Sequence, residues 1–181
     1  MTAILESERL CLRAFTDEDR EPFAAMNADP EVMEFFPKLH QRQDSDNLIE
    51  RINREIDLEG FGIFAAELKE SSEFIGFVGL SRPDYPLPCG PCVEIGWRLA
   101  KPFWGRGLAS EGARACLAFA FDALGLDEVV SFTFEGNFRS QAVMERIGMR
   151  RDPSCDFLHP KLAPDNWLAR HVFYRISAPQ S

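Results

Sequence analysis

Between Glu94 and Leu124 the chain places a strand, a turn with two glycines and a helix in direct succession. Val93, Ile95, Trp97 and Leu99 alternate with Glu94, Gly96 and Arg98, the period of a strand. Trp104-Gly105-Arg106-Gly107-Leu108-Ala109 follows, and then Ala109, Ala113, Cys116, Leu117, Ala120, Phe121 and Leu124 fall on one helical face, with Gly125 as the stop. Gly105 and Gly107 can take backbone angles closed to other residues. Several N–H groups can therefore converge on one anion, while the new helix adds the positive end of its dipole. The arrangement predicts a pyrophosphate ligand. It is not a Walker loop, because Gly107 is followed by Leu108-Ala109 rather than Lys-Ser/Thr. Nor is it a dinucleotide fingerprint, which needs three spaced glycines in a parallel βαβ unit, whereas the strands before this turn read as an antiparallel meander.

A second candidate lies just upstream. Cys89-Gly90-Pro91-Cys92 matches a redox dithiol as a string, and Cys155 with His159 would extend it to a metal set. Its context opposes both readings. Thiol redox chemistry needs the first Cys at a helix N-terminus, yet this tetrapeptide runs into a strand, and the four residues are far from compact zinc spacings. No metal is expected.

The elements that must position these groups follow from periodicity. Glu8 to Arg13 alternates as a half-buried strand. Thr16, with Asp19 three residues on, caps a helix over 17–27. Asp29-Pro30 opens a short helix carrying Val32, Met33, Phe35 and Phe36, stopped by Pro37. Asp44 to Leu58 is an amphipathic helix ending at Gly60. Strands are predicted over Gly62–Leu68 and Phe74–Leu80, joined by a polar hairpin, and a Pro-rich loop spans Arg82 to Pro91. Val129–Glu135 is a strand, Ser140–Ile147 a short helix closed by Gly148, and Val172–Ile176 a last strand after an irregular stretch.

The turn resembles the acetyl-CoA signature of the GNAT superfamily, Q/R-x-x-G-x-G/A, with Gly107 and Ala109 at its small positions and Trp104 in place of Gln or Arg. With Glu94-Ile95-Gly96-Trp97, Asp29-Pro30-Glu31-Val32-Met33, Asn137-Phe138-Arg139-Ser140 and Met144 to Met149, it is similar to the branch containing the ribosomal-protein N-terminal acetyltransferases, over about residues 8–176. The resemblance implies one N-acetyltransferase domain over 1–181. It also implies an α+β fold whose mixed, mostly antiparallel sheet is splayed at the cofactor strand, with helices on both faces. Backbone groups of Trp97, Arg98 and Leu99 would pair with the pantetheine arm, and Trp104, Gly105, Arg106, Gly107, Leu108 and Ala109 would hold the pyrophosphate. Gly96 reads either as a bulge that opens the sheet or as a packing glycine under a neighbouring side chain.

The implied chemistry is direct transfer of acetyl from acetyl-CoA to a primary amine, without a covalent enzyme intermediate. It needs a base, donors for the developing oxyanion and a proton for the thiolate. Glu94, on the polar face of the cofactor strand, is the candidate base. Asn137 and Ser140, at the junction the family places beside the pantetheine and the thioester sulfur, are the further catalytic and cofactor-binding candidates, and both are also good helix caps. The Tyr acid of many relatives is replaced by Met144. Tyr85, in a loop, could reach an acceptor, whereas Tyr174 reads as packing. His159 lies in a loop expected near the acceptor groove, and Phe35 and Phe36 read as core more than as groove wall. A non-catalytic acyl-CoA-binding module is the alternative from another class.

Composition narrows the partners. The chain has 181 residues and a formal charge of −9, with no Lys/Arg cluster, which argues against nucleic acid. No apolar run approaches the ~20 residues of a membrane span, and Met1–Arg13 has no secretory pattern, so a cytoplasmic monomer or homodimer with five free thiols is expected. An α-amino group, with a pKa near ~8 against ~10.4 for lysine, is the easier acceptor to deprotonate.

Overall fold

A computed structural model describes residues 5–179. Nine strands form one sheet: β1 (Leu5–Glu6), β2 (Leu10–Arg13), β3 (Ile63–Leu68), β4 (Phe74–Ser81), β5 (Glu94–Leu99), β6 (Glu128–Phe134), β7 (Arg150–Arg151), β8 (Phe157–Leu158) and β9 (Arg170–Ser177). Their order is β1-β2-β3-β4-β5-β6-β9-β7, with β8 also paired to β9. Every pairing is antiparallel except β5–β6. Four helices accompany them: α1 (Arg20–Ala28), α2 (Arg42–Glu59), α3 (Leu108–Ala118, extended by a π-turn over Phe119–Ala123) and α4 (Phe138–Arg146).

Strand alternation assigns each helix to a face. Val78 stands opposite Trp97 in the β4–β5 ladder, and it touches α3 at Gly112, where an added Cβ would lie 3.1 Å from Val78 Cγ2 and 3.3 Å from Leu10 Cδ1. Only a residue without a side chain lets this helix approach so closely. Phe77, one position along and opposite Arg98, points the other way and meets Phe23 of α1 at 6.2 Å. The main core fills both faces, from Leu10, Val78, Ile95 and Leu108 to Phe23, Phe64 and Ile49. A small separate cluster of Val130, Cys155 and Phe173 lies under β8 and β9.

Three expectations are corrected. Residues 29–36 form successive turns, with Met33 N–H bonded to Asp29 O and Phe36 N–H to Met33 O, rather than a helix. Pro30, Phe35, Phe36 and Pro37 leave too short a periodic segment to propagate one. Phe36 is 40% exposed and Phe35 half-buried, so neither is core. Cys89 is joined to Cys155, with Cα atoms 5.8 Å apart, so the free thiols are Cys11, Cys92 and Cys116.

The start of α1 is tied to the sheet by a buried charge cluster. Arg13 donates to Asp19 Oδ2 and Oδ1 at 2.6 and 2.9 Å and to Glu67 Oε2 at 2.8 Å, while Asp19 also accepts from Thr16 N–H at 2.8 Å in the predicted capping box. Hydrogen bonding to Asp19 raises the Arg13 pKa against the opposing effect of burial. Removing the cation strands two carboxylates, one of them fully buried. Arg13→Met should therefore lower unfolding stability by about 3–5 kcal/mol, read as a drop in the urea midpoint at neutral pH.

Candidate functional site

The β5–β6 pairing consists of a single bridge, Glu94 with Val130. Val130 N–H donates to Val93 O, and the next ladder position is closed by a side chain, Ser131 Oγ donating to Ile95 O at 2.8 Å. Beyond it the strands part. In the β4–β5 ladder the bonded positions are even-numbered, as Ala100 N–H to Ile75 O shows, so the N–H and C=O groups of Trp97 and Leu99 face the gap. Leu99 O is taken by the Trp104 indole N–H at 2.7 Å, which leaves Trp97 N–H, Trp97 O and Leu99 N–H without ladder partners. The main chain of Arg98 pairs into β4 instead and does not face the gap. No bulge occurs at Gly96: the β4–β5 register runs unbroken from Gly76–Leu99 to Ser81–Glu94. The opening comes from the loss of β6, where Ser131 ends the ladder.

The gap leads to the turn. Gly105 and Gly107 have φ of 72° and 76°, and Gly107 is the N-cap of α3. No side chain caps that helix, so the N–H groups of Leu108, Ala109 and Ser110 project from its first turn, Glu111 N–H alone being bonded back to Gly107 O. Arg9 braces the turn from β2's lead-in, donating from Nη1 to Arg106 O at 3.1 Å and pairing with Glu111. Arg139, at the start of α4, lies 4.5 Å over the Trp104 ring, which brings the α4 N-terminus alongside. There Asn137 accepts from Ser140 N–H and donates to Thr133 Oγ1 at 3.0 Å, so both ends of its amide are engaged in capping. The Ser140 hydroxyl is half-buried and is not used in the cap. Met144 is in the core, and Tyr174 is buried with its hydroxyl on Gln141 and Glu145 at 3.3 Å.

The opposite face of β5 carries Glu94, Gly96 and Arg98. Glu94 has neither an ion-pair nor a hydrogen-bond partner for its carboxyl among the described residues, and burial pushes its pKa up to about 8. A Cβ placed on Gly96 would meet no atom within 4 Å, so this glycine sits beneath open space rather than under a packed neighbour. Arg98 is sunk between Phe36 and Phe77, 4.1 and 5.1 Å from the ring centroids, and its Nη1 donates to Asn27 Oδ1 at 2.7 Å.

Beyond Glu94 stands an aromatic and imidazole wall. Tyr85 and His159 are 4.9 Å apart, His159 and His171 5.0 Å, and Phe157 and His171 5.5 Å, all between ring centroids. Burial raises the Tyr85 pKa, and the Glu94 charge raises it further. Burial draws His171 down to about 4 and lowers His159, so both rings are neutral at pH 7. His171, Asn27 and Ser131 escaped the sequence reading. Only His171 left a trace, as a polar residue just before the strand predicted over Val172–Ile176.

The dithiol reading fails on geometry: Cys89 pairs across 66 residues rather than with Cys92, whose thiol burial pushes up to about 11. Cys89, Asp152 and Cys155 bring donor atoms within 4.8 Å of one another, but Cys92 and His159 are not part of that group.

The acetyltransferase (GNAT) domain family model matches residues 9–150. The Bacillus subtilis protein YkkB is 30% identical over 80% of this chain and 84% of its own length. An Aspergillus fumigatus protein named FsC-acetyl coenzyme A-N(2)-transacetylase is 32% identical over 80% of this chain and 64% of its own. Among solved structures, an acetyltransferase from Agrobacterium tumefaciens superposes with a TM-score of 0.78 at 28% identity, covering 97% of this chain and 94% of that one.

Two alanine substitutions separate a glycine the fold needs from one the site needs. Gly107→Ala forces a side chain into the left-handed region and should lower stability by about 1–2 kcal/mol. Gly96→Ala meets no atom and should leave stability unchanged or raise it by about 0.4–1 kcal/mol, both read from thermal unfolding.

Proposed function

The chain belongs to the GNAT family of acetyl-CoA-dependent N-acetyltransferases, and on that premise we propose that it acetylates a primary amine, a protein N-terminus or a small molecule, by direct attack in a ternary complex. The observation that carries this reading is the parting of β5 from β6 after one bridge, which leaves main-chain groups of Trp97 and Leu99 unpaired on a path that ends at the uncapped N-terminus of α3. Those groups fit the amides of a pantetheine arm, and the convergent N–H groups between Trp104 and Ala109 fit its pyrophosphate. When bound, acetyl-CoA supplies the thioester carbon that the amine nitrogen attacks as the carbon–sulfur bond breaks.

The remaining roles belong to this chain. The gap-facing N–H of Trp97 donates to the oxygen that gains charge. Glu94, unpaired and with a pKa near the working pH, takes a proton from the ammonium form of the acceptor through a water molecule. Ser140, whose hydroxyl the α4 cap does not use, relays to the departing thiolate the proton that the newly acetylated nitrogen sheds, the role that Met144 cannot fill. Asn137 positions Ser140 by capping α4 and takes no part in proton transfer.

Glu94 sets two pH dependences. Its folded pKa lies above the unfolded value of 4.5, so its penalty is absent below that value and grows as pH rises towards 8, at up to about 1.4 kcal/mol per pH unit. Glu94→Gln should therefore unfold at a higher temperature than wild type at pH 8, and at the same temperature near pH 4. Thiol release from acetyl-CoA should fall about 100-fold or more in the variant, with loss of the kinetic limb near pH 8. CoA should raise the unfolding temperature of both proteins. An unchanged rate and limb would remove Glu94 as base, and a failure of CoA to stabilise either protein would remove the acyl-transfer reading.

A further inference from the structure

We infer that Arg98 is a carboxylate receptor in the acceptor site, so that the amine acetylated by this protein is a small molecule carrying a free carboxylate. The inference rests on the acyl-transfer reading above and narrows its acceptor.

Arg98 is the odd cation of the molecule. The other deeply held guanidinium, Arg13, faces Asp19 and Glu67, and Arg175 faces Glu128 and Asp152. Among the described residues Arg98 meets no carboxylate: its one hydrogen bond is to the neutral Asn27 amide, and its Nε, like that of Arg175, is fully buried with no acceptor. Asn27 is committed to this role. Its own Nδ2 donates to the buried Ser45 hydroxyl at 3.1 Å, which turns Oδ1 toward Arg98. Nearby His40 is no counter-ion, since an imidazole carries no negative charge, and burial and then Arg98 itself lower its pKa. Burial pulls Arg98 down to about 10, which still leaves it charged at neutral pH. A half-buried cation whose Nε is buried and unmet is unfavourable unless something supplies the acceptor.

The geometry says what that is and where it enters. Phe36 and Phe77 lie against the guanidinium and Asn27 occupies Nη1, so the Nε–Nη2 edge is the one without a partner, the edge that binds a carboxylate through two parallel hydrogen bonds. Arg98 and Glu94 share one face of β5, roughly 13 Å apart along the strand at about 3.3 Å per residue. Gly96 lies midway beneath open space. A zwitterion laid over Gly96 can turn its nitrogen toward Glu94, which acts through water, and its carboxylate toward Arg98. Phe36, 40% exposed on the 29–41 connection, is the part of the cover that must shift to admit it. A lone cation at this end repels a polyamine, and the −9 charge of the whole chain gives anions no general attraction, so recognition has to be local.

The test compares matched acceptors. L-α-amino acids and dipeptides, each beside its C-terminal primary amide, are assayed with acetyl-CoA by thiol release, with spermidine as a polycation. Wild type should favour the free carboxylate about 10- to 100-fold in kcat/KM. Arg98→Gln should collapse that ratio to within about 3-fold. Asn27→Asp, which keeps the arginine and gives it a permanent carboxylate partner, should collapse it equally. CoA-dependent thermal stabilisation of each variant serves as the folding control. Equal turnover of acids and amides by wild type, faster turnover of amides or spermidine, or variants that slow both members of each pair alike would each overturn the inference. So would a CoA complex that neither turns over the panel nor is further stabilised by any carboxylate-bearing amine. Absence of any stabilisation by CoA would instead sink the acyl-transfer reading itself.

Discussion

The site depends on a ladder that stops. Backbone N–H and C=O groups inside a sheet are obliged to find partners, and β5 and β6 satisfy that obligation for one bridge only, after which the Ser131 hydroxyl closes the last carbonyl. Because β5 stays fully registered with β4 on its other edge, the strand remains straight and rigid while half of its polar groups are held open. A ligand that is itself a chain of amides can complete the missing ladder. An opening made this way is set by the positions of two well-packed strands, so it needs no strained backbone at β5 itself.

The same strand separates two tasks through its pleat. Odd-numbered residues Ile95, Trp97 and Leu99 turn their side chains to α3 and their main chain to the gap, whereas Glu94, Gly96 and Arg98 turn their side chains to the α1 and α2 side. Donor and acceptor sites are thereby placed on adjoining surfaces of a single element, with little freedom to drift apart. The charge cluster of Arg13, Asp19 and Glu67 contributes at a distance, because it anchors the first turn before α1, the helix that carries Asn27 in its last turn and leads into the Phe35–Phe36 cover. That cover reaches across the opening: Phe35 packs on Phe134 at 5.6 Å, and Glu34 pairs with Arg139 beside the turn.

The Glu94 charge helps raise the pKa of Tyr85 and of the half-buried Cys92 thiol, and Tyr85 continues into the aromatic and imidazole set of His159, His171 and Phe157. Desolvation is the main influence on this carboxyl, and no neighbouring cation offsets it. The pairing of Cys89 with Cys155 bears on the same wall, since it holds the loop that carries Tyr85 against the segment leading into β8 and His159.

Much of this was legible from residue order alone, because it depends on neighbours. The strand from Glu94 to Leu99, the positive-φ glycines of the turn, the one-faced helix after it, the Thr16–Asp19 box and the Asn137 cap all depend on residues within a few positions of each other, and the structure has them within a residue or two of the expected bounds. Residues 29–36 were misjudged even at that range, since capping residues and apolar spacing resemble a helix in a segment too short to sustain one. What the sequence could not hold was the set of meetings between distant segments. Ser131 ends the ladder at Ile95, Asn27 reaches Arg98, His171 joins His159, and Cys89 finds Cys155 rather than its neighbour Cys92. A side chain's type is local, but its desolvation and its lack of a partner are properties of everything packed around it. Thus the sequence by itself determined that a strand, a turn and a helix would be there to bind an anion. Tertiary structure alone decided that β5 would stand open, that burial would push the Glu94 pKa up to about 8, and that the Arg98 Nε would be buried without a counter-charge among the described residues.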